Sequence, residues 1–345
     1  MFASSNLVVS YINIFVVLSS FYYNKNNKPS VVLYGILLII YNITRSNIML
    51  KVKHLSKNFG SLHALQDVNF TIQPGQIMGL IGQNGAGKTT TFHSILNFLH
   101  YSGEITWEDR PITETTFNTI GYLPEERSLM TKMTIEEQIV YLARLKGCAA
   151  KEIRPQIDQW LERFQVKGKK SDKIKTLSKG NQQKVQLICT LIHQPKLLIL
   201  DEPFSGLDPV NADLLKQAIL VAKKQKAAII FSSHDMANVE AICDTLIMLK
   251  NGQVVLSGDL ESVRNSFGKT EIYVKTAKTL AELTQLPHVQ KVEKQGNRYL
   301  LRIDDPKCGP ELFAALTNGQ YIEEFRQQPP TLDEIFRKEA GEDHE

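Results

Sequence analysis

Short apolar runs separated by polar turns and by stretches with helical spacing make up most of the chain between residues 50 and 257. Apolar runs of about 4–8 residues bounded by turn residues are typical of buried strands. The pattern over Met133–Asp172 has helical spacing instead and predicts a helical insertion. This alternation predicts an α/β fold with a central parallel sheet. The predicted strands are Leu50–Leu55, Ala64–Ile72, Ile77–Ile81, Gly103–Trp107, Ile120–Pro124, Lys196–Leu200, Ala227–Ser233, Thr245–Leu249 and Gln253–Ser257.

The pattern changes at residue 267, where a second, smaller α+β domain is predicted to extend to residue 345. Its elements follow the order β-α-β-β-α-β, which suggests a ferredoxin-like fold. A Pro-Pro pair then interrupts the chain before a last helix, for which Thr331 is the expected N-cap. The predicted strands are Glu271–Thr276, Val289–Glu293, Arg298–Ile303 and Tyr321–Arg326, and the predicted helices are Ala281–Leu286 and Pro310–Leu316.

Residues 1–48 differ from everything that follows, because they contain no Asp or Glu and hold two apolar runs, Leu7–Tyr23 and Val31–Tyr41. The first run would reach only ~25 Å as a helix, against the ~30 Å of a bilayer core. A membrane anchor, a signal peptide and an upstream extension of the reading frame are the three interpretations. A basic leader and a small-residue cleavage site are not evident, which argues against the signal peptide. The extension is favoured over the anchor, because Met49 stands at the natural beginning of the first predicted strand.

Composition adds little to this division. A net charge of +4 in 345 residues is mild and gives no reason to expect a nucleic-acid partner. The four cysteines are Cys148, Cys189, Cys243 and Cys308, and their scattered spacing favours neither a zinc site nor a disulfide framework. Free cysteines are typical of a reducing cytoplasm.

A glycine-rich segment between a predicted strand and a predicted helix is the strongest chemical signal. Its sequence matches G-x-x-x-x-G-K-[ST], the P-loop, in the strand-to-helix context that this motif requires. Backbone N–H groups of such a loop surround phosphate oxygens, while the lysine reaches the β and γ phosphates. The predicted nucleotide-binding residues are Gly82, Gln83, Asn84, Gly85, Ala86, Gly87, Lys88, Thr89 and Thr90.

Two carboxylates and a histidine follow neighbouring apolar strands. Asp201 is predicted to hold Mg²⁺ together with the Thr89 hydroxyl. Glu202 is predicted to orient and deprotonate the attacking water, and His234 to contact the γ-phosphate. Phe59, upstream of the P-loop, is an aromatic that can stack on adenine.

Taken together, these motifs resemble the nucleotide-binding subunits of ATP-binding cassette (ABC) transporters, over roughly residues 50–266. Gly82–Thr90 resembles Walker A, Leu197–Glu202 resembles Walker B, and Leu177–Gln182 resembles the signature motif. Ser205–Asp208 resembles the D-loop, and His234 resembles the switch histidine. The resemblance implies a P-loop NTPase core at residues 49–266, with a helical subdomain at about residues 127–180.

Two positions depart from the usual family pattern. The signature reads Ser-Lys-Gly-Asn-Gln, in which Ser178 and Gly180 are retained as expected nucleotide contacts. The position of the Q-loop glutamine holds Glu125, a further expected Mg²⁺ ligand. Both departures resemble the branch that drives ABC-2-type exporters.

The resemblance implies an ATPase that requires ATP and Mg²⁺ and acts as a head-to-tail dimer, in which Ser178, Gly180 and Asp208 of one cassette face the P-loop of the other. The expected partners are a second copy or a homologous cassette and separate integral-membrane permease subunits, at the cytoplasmic face of the membrane. The alternative is a soluble ABC ATPase of translation or DNA repair, although the fused cassettes and coiled-coil insertions of those classes are absent from the sequence. A non-hydrolysing regulatory subunit is disfavoured by Glu202 and His234.

Overall fold

The computed structural model describes residues 49–126, 128–319 and 321–341. The predictions of an anchor, a signal peptide or an extension at residues 1–48 therefore lie outside the described residues. The described residues belong to one compact unit. Within the described ranges, none of the helices is both long and apolar enough to cross a lipid bilayer.

The described strands follow the predicted apolar runs closely. The main difference at the start is β1, which extends through Phe59 because it pairs with β2 as far as the turn at Gly60. The strands are β1 Leu50–Phe59, β2 Leu62–Ile72, β3 Ile77–Ile81, β4 Ser102–Trp107, β5 Arg110–Pro111, β6 Ile120–Leu123, β7 Leu197–Leu200, β8 Ala228–Ser233, β9 Thr245–Lys250, β10 Gln253–Asp259, β11 Glu271–Lys275, β12 Val289–Gln295, β13 Arg298–Ile303 and β14 Glu324–Gln328.

The helices separate these strands. The predicted helical insertion is helical but is divided into three helices, α3 to α5. After residue 163 the chain is largely irregular up to the signature segment. The helices are α1 Lys88–Ile95, α2 Glu114–Phe117, α3 Ile135–Leu145, α4 Ala150–Ile153, α5 Ile157–Arg163, α6 Lys179–Leu191, α7 Pro209–Lys224, α8 Met236–Ile242, α9 Leu260–Ser266, α10 Leu280–Thr284, α11 Gly309–Thr317 and α12 Leu332–Ala340.

A six-stranded sheet of order β10-β9-β3-β8-β7-β6 forms the centre of the larger domain. All its strands are parallel except β10, which runs antiparallel to β9. Strands β3, β7 and β8 are buried at every position, as expected for strands covered on both faces. The carboxyl ends of β3, β8, β7 and β6 therefore lie side by side at one edge, where ligands bind in open α/β sheets.

Two apolar cores sandwich this sheet. One lies against the helices and the other against an antiparallel sheet of order β2-β1-β4-β5. The expectation of an α/β nucleotide-binding core with a helical subdomain and a small α+β domain is confirmed.

The C-terminal domain has an antiparallel sheet of order β12-β13-β11-β14. Numbered within the domain, this order is 2-3-1-4, the arrangement of a ferredoxin-like sheet, and it has its own apolar core. The predicted strand Tyr321–Arg326 begins later, at Glu324, and the Tyr321 side chain is 88% exposed. The apolar side chain that anchors this strand is Phe325, which packs against the domain core.

Candidate nucleotide-binding and hydrolysis site

The P-loop connects the buried end of β3 to the start of α1. Gly82 and Gly87 have φ of 153° and 110°, in the region that favours glycine. A Cβ atom at Gly82 would lie 2.5 Å from the Leu249 carbonyl oxygen, and one at Gly87 would lie 2.8 Å from the Ala64 carbonyl oxygen. Glycine is therefore required at both ends of the loop, because neighbouring backbone approaches too closely for any side chain.

Lys88 directs its ammonium group back over this loop. Its Nζ donates to the carbonyl oxygens of Gly82 and Gln83, at 2.7 and 3.2 Å. The same Nζ lies 3.8 Å from Oε1 of Glu202, and both side chains are at most one-tenth exposed. The cation therefore sits between the P-loop and the end of β7, as phosphate recognition requires.

Asp201 is held by hydroxyl groups from two other elements. Thr89 Oγ1 donates to Asp201 Oδ2 at 2.9 Å, and Ser232 Oγ donates to Asp201 Oδ1 at 2.7 Å. Ser232 Oγ also accepts from the backbone N–H of Glu202 at 2.7 Å. Through these bonds, Ser232 at the end of β8 fixes both carboxylate residues that follow β7.

Glu202, predicted as the base, and His234, predicted as a γ-phosphate contact, lie within hydrogen-bonding distance of each other. Glu202 has a φ of 45°, an uncommon left-handed conformation that turns its side chain at the end of β7. Its Oε2 lies 2.9 Å from His234 Nδ1. Its Oε1 is buried and accepts no hydrogen bond from the described residues. A buried carboxylate oxygen without a donor is poised to accept one from a bound water or substrate.

The hydroxyl of Thr89 and the carboxylate of Asp201 suit Mg²⁺, which prefers oxygen ligands. Among the described residues, no group of three or more His, Cys, Asp or Glu side chains is arranged to hold a metal. This sparse donor set suits Mg²⁺ that binds through one or two protein oxygens, with substrate phosphates and water completing its shell. Nearby, burial and then the charge of Asp201 raise the pKa of Tyr122 to about 12, so its phenol stays neutral.

Glu125 follows β6 and is exposed at the rim of an open cleft of about 580 Å³. Asp201 and Glu202 line the same cleft. The structure thus brings Glu125 to the predicted side of the sheet but gives it no direct bond to Asp201.

Phe59 is the last residue of β1 and is 45% exposed. Lys57 Nζ lies 4.8 Å from its ring centroid. The ring is therefore not a core residue, and it is available for the predicted stacking on a base.

The predicted nucleotide contacts Ser178, Gly180 and Asp208 are not brought to the P-loop. They line a different cleft of about 480 Å³. Ser178 caps α6 and Asp208 caps α7. Nine of the other predicted binding residues lie instead in the P-loop itself, so the site divides into two separate clusters within one chain.

Two contributors were missed by sequence reasoning. Ser232 carries the hydrogen bonds described above, and its signal was a polar side chain in a fully buried strand end. Asn181 donates from Nδ2 to Ser178 Oγ at 3.0 Å and accepts from the Lys167 backbone N–H at 3.0 Å. The unusual asparagine therefore ties the signature turn to the loop before it, a role that no sequence pattern indicates.

The phosphate-binding loop lies at a strand-to-helix turn, and two carboxylates and a histidine follow adjacent parallel strands. This arrangement is that of a P-loop nucleoside triphosphatase. The family model described as ABC transporter matches residues 65–205, and the model described as ATP-binding protein DrrA1-3-like, C-terminal domain matches residues 258–340. The chain belongs to the ATP-binding proteins of ABC transporters and is an ATPase.

Individual relatives agree with this assignment. The ABC transporter ATP-binding protein YhaQ of Bacillus subtilis is 42% identical over 294 residues, which cover 85% of this chain and 99% of the relative. The Nod factor export ATP-binding protein I of a Rhizobium species is 27% identical over 307 residues, which cover 87% of this chain and 99% of the relative. A solved structure of an ATP-binding subunit of an ABC transporter has a TM-score of 0.60 at 33% identity, covering 64% of this chain and 93% of that one. These names do not favour the alternative role in translation or DNA repair.

Proposed function

We propose that this chain powers a separate integral-membrane exporter from its cytoplasmic face, as one of two cassettes that bind ATP head to tail. The observation that carries the proposal is that Ser178, Gly180 and Asp208 line a cleft to which no residue of the P-loop contributes. A second copy, or a homologous cassette, would bring its Ser178 cluster to the P-loop of the first. The export direction is supported by the likeness to the Nod factor export protein.

In this proposal, the P-loop N–H groups and Lys88 bind the β and γ phosphates of ATP. Thr89 and Asp201 would hold Mg²⁺, which neutralises phosphate charge when bound. Phe59 would stack on the adenine ring, and the Glu125 carboxylate would act as a further ligand near the metal. Gly180 lies in the first turn of α6, whose N-terminus would direct N–H groups at the γ-phosphate from the opposite cassette.

Glu202 is the proposed general base. Oε1 would accept a proton from the attacking water, whose oxygen then bonds to the γ-phosphorus while the bond to the bridging oxygen breaks. His234 holds Oε2 at 2.9 Å and so fixes the direction of Oε1. The products are ADP and phosphate, and the loss of the γ-phosphate would open the dimer.

The first test is Glu202→Gln, which keeps the size of the side chain but cannot accept a proton from water. We expect the hydrolysis rate to fall roughly 10²–10⁴-fold while ATP affinity is kept. With Mg-ATP, the variant should elute as a stable dimer in size-exclusion chromatography and the parent mainly as a monomer. Glu108→Gln, which removes an exposed carboxylate in the turn between β4 and β5, is the matched control and should behave as the parent.

Two outcomes would separate the parts of the proposal. Hydrolysis at the parental rate would exclude Glu202 as the base. An inactive variant that binds ATP but never dimerises would contradict the head-to-tail arrangement.

The permease partnership has its own test. A tagged chain purified from detergent-solubilised membranes of its host should co-purify with an integral-membrane protein in near-equal amount, and recovery of the chain alone would contradict that partnership.

A further inference from the structure

The last helix, α12, leaves the C-terminal domain and packs into the ATPase domain. Leu332 and Phe336 are buried in the core formed by the central sheet and its helices. The backbone N–H of Leu332 donates to Oε1 of Glu240 on α8, at 3.3 Å. Helix α8 begins two residues after His234. The start of α12 is therefore attached to the element that follows the histidine of the active site.

The other end of α12 is held by Lys250, the last residue of β9. Lys250 Nζ donates to the backbone carbonyl oxygen of Glu339, in the last turn of the helix, at 2.6 Å. Gly341 caps this turn with a φ of 84°. A cation at a helix C-terminus is favourable because it satisfies a free carbonyl group and opposes the negative end of the dipole.

The turn that follows Lys250 presses directly on the P-loop. The backbone N–H of Gly252 donates to the Ala86 carbonyl oxygen at 3.1 Å. The Leu249 carbonyl oxygen is so near Gly82 that no side chain fits there. A small cavity of about 100 Å³ is lined by P-loop residues 83–86, by residues 248–251 and by Ala340 of α12. Helix α12, the β9–β10 turn and the P-loop thus form one continuous set of contacts.

We infer that Lys250 is a positioning residue for nucleotide binding, which fixes the P-loop by tying the β9–β10 turn to the end of α12. The inference rests on the proposed role of the P-loop as the nucleotide site. Lys250 would not itself contact the phosphates. It keeps the backbone on one side of the loop in place, so that the loop N–H groups need no rearrangement when ATP enters.

The test compares Lys250→Met with Lys250→Arg in the full chain. Methionine keeps the length of the side chain but loses the charged donor, whereas arginine keeps a donor. We expect Lys250→Met to raise the dissociation constant for Mg-ATP about 5–20-fold, near or below the lower end of the range for a lost charge-assisted hydrogen bond, because Lys250 acts on the loop indirectly. The KM for ATP should rise by a similar factor and kcat should change much less. Lys250→Arg should restore most of the affinity.

Lys275→Met is the matched control, because it removes a lysine of similar exposure that pairs with Glu323 on the C-terminal domain. Its affinity for ATP should equal that of the parent. Gly341→Val gives a second approach, since a β-branched residue disfavours the left-handed cap and opens the last turn of α12. In that background, Lys250→Met should weaken binding by less than a further twofold, because the contact is already lost.

The inference is overturned if Lys250→Met binds ATP within twofold of the parent, whatever its melting temperature. It is also overturned if Lys250→Met has its full effect in the Gly341→Val background, because the effect would then not pass through α12. Lys88→Ala separates this result from the proposed site. If Lys88→Ala binds ATP normally, the P-loop assignment fails; if only Lys88→Ala loses binding, the positioning role alone fails.

Discussion

Single side chains at the carboxyl edge of the parallel sheet do most of the proposed chemistry, and several were recognisable from the sequence. Lys88 and Thr89 follow from the P-loop pattern, and Asp201 and Glu202 from two carboxylates after a fully apolar strand. Their meeting point follows because β3, β8 and β7 are neighbours. The sequence marks Ser232 only as a polar residue at the end of an apolar strand, and its two hydrogen bonds could not be predicted, since they depend on the distance between strand ends far apart in sequence.

Glu125 stands where the family has its Q-loop glutamine, and its expected role as a Mg²⁺ ligand rests on that resemblance alone. Its side chain is exposed at the cleft rim, and Thr89 and Ser232 bond to Asp201 without it. We therefore expect Glu125→Gln, which restores the usual residue of the family, to bind ATP normally and to hydrolyse it within about threefold of the parent. Steady-state ATPase assays over a range of Mg²⁺ concentrations measure this. A fall of ~100-fold or more, the scale of losing a proton-transfer group, would show that the carboxylate itself is needed.

At the scale of elements, strand existence was easier to predict than strand limits. Phe59 lies within β1, since pairing with β2 continues to the turn, which the apolar pattern does not show. The late start of β14 has a similar cause, because Phe325 faces the domain core whereas Tyr321 faces solvent. The packing of α12 against the ATPase domain could not be predicted from the sequence either. An amphipathic pattern shows that a helix buries one face but not which core receives it.

A buried carboxyl group lies where the C-terminal sheet meets α12. Glu271 of β11 is 2% exposed, and Tyr273 Oη donates to it at 3.4 Å. Nε of Arg302, on β13, lies 3.8 Å from Oε1 of Glu271, and Arg302 also pairs with Glu293 and with Glu334 of α12. Burial, followed by the hydrogen bond and negative charge of Glu334, raises the pKa of Glu271 to about 8. The proton on Glu271 lets the two carboxyl groups share a hydrogen bond.

This raised pKa predicts a pH dependence of stability. The folded chain holds the proton of Glu271 more tightly than the unfolded chain, whose carboxyl pKa is near 4.5. The stabilisation is therefore complete below about pH 4.5 and is lost as the pH rises through about 8. Glu271→Gln, which resembles the protonated form, should melt at a higher temperature than the parent at pH 9, with a smaller difference at pH 6.

Thermal unfolding at these two pH values measures the effect, and Glu323→Gln serves as the control because its carboxylate is 66% exposed and pairs only with Lys275 among the described contacts. A parent and a Glu271→Gln variant with parallel pH profiles would show that Glu271 is ionised in the folded protein throughout.

At the scale of the whole molecule, the proposed site is divided into two halves that lie apart in one chain. The P-loop cluster has the proposed phosphate-binding and base residues, and the Ser178 cluster lines a separate cleft at the N-termini of α6 and α7. Each copy would supply a different half to each of two sites in a head-to-tail dimer with two-fold symmetry. The sequence could predict this arrangement only through a resemblance, because no local pattern specifies what lies opposite an exposed helix N-terminus.

This arrangement predicts complementation between two inactive variants. Lys88→Ala removes the phosphate contact from one half-site, and Ser178→Arg places a bulky side chain at the N-cap of α6 in the other. Each variant alone should be inactive, because every site in its dimer carries a defect. In a mixed dimer one site combines the two intact halves and the other combines both defective halves.

Equal mixing yields mixed dimers in about half of the pairs, so roughly a quarter of the parental ATPase rate should return if the sites act independently. Titration of one purified variant with the other measures this rate, with Lys88→Ala mixed with itself as the baseline. An active Ser178→Arg variant would remove the signature helix from the site, and a mixture that stays inactive at every ratio while both proteins remain folded would contradict two independent composite sites.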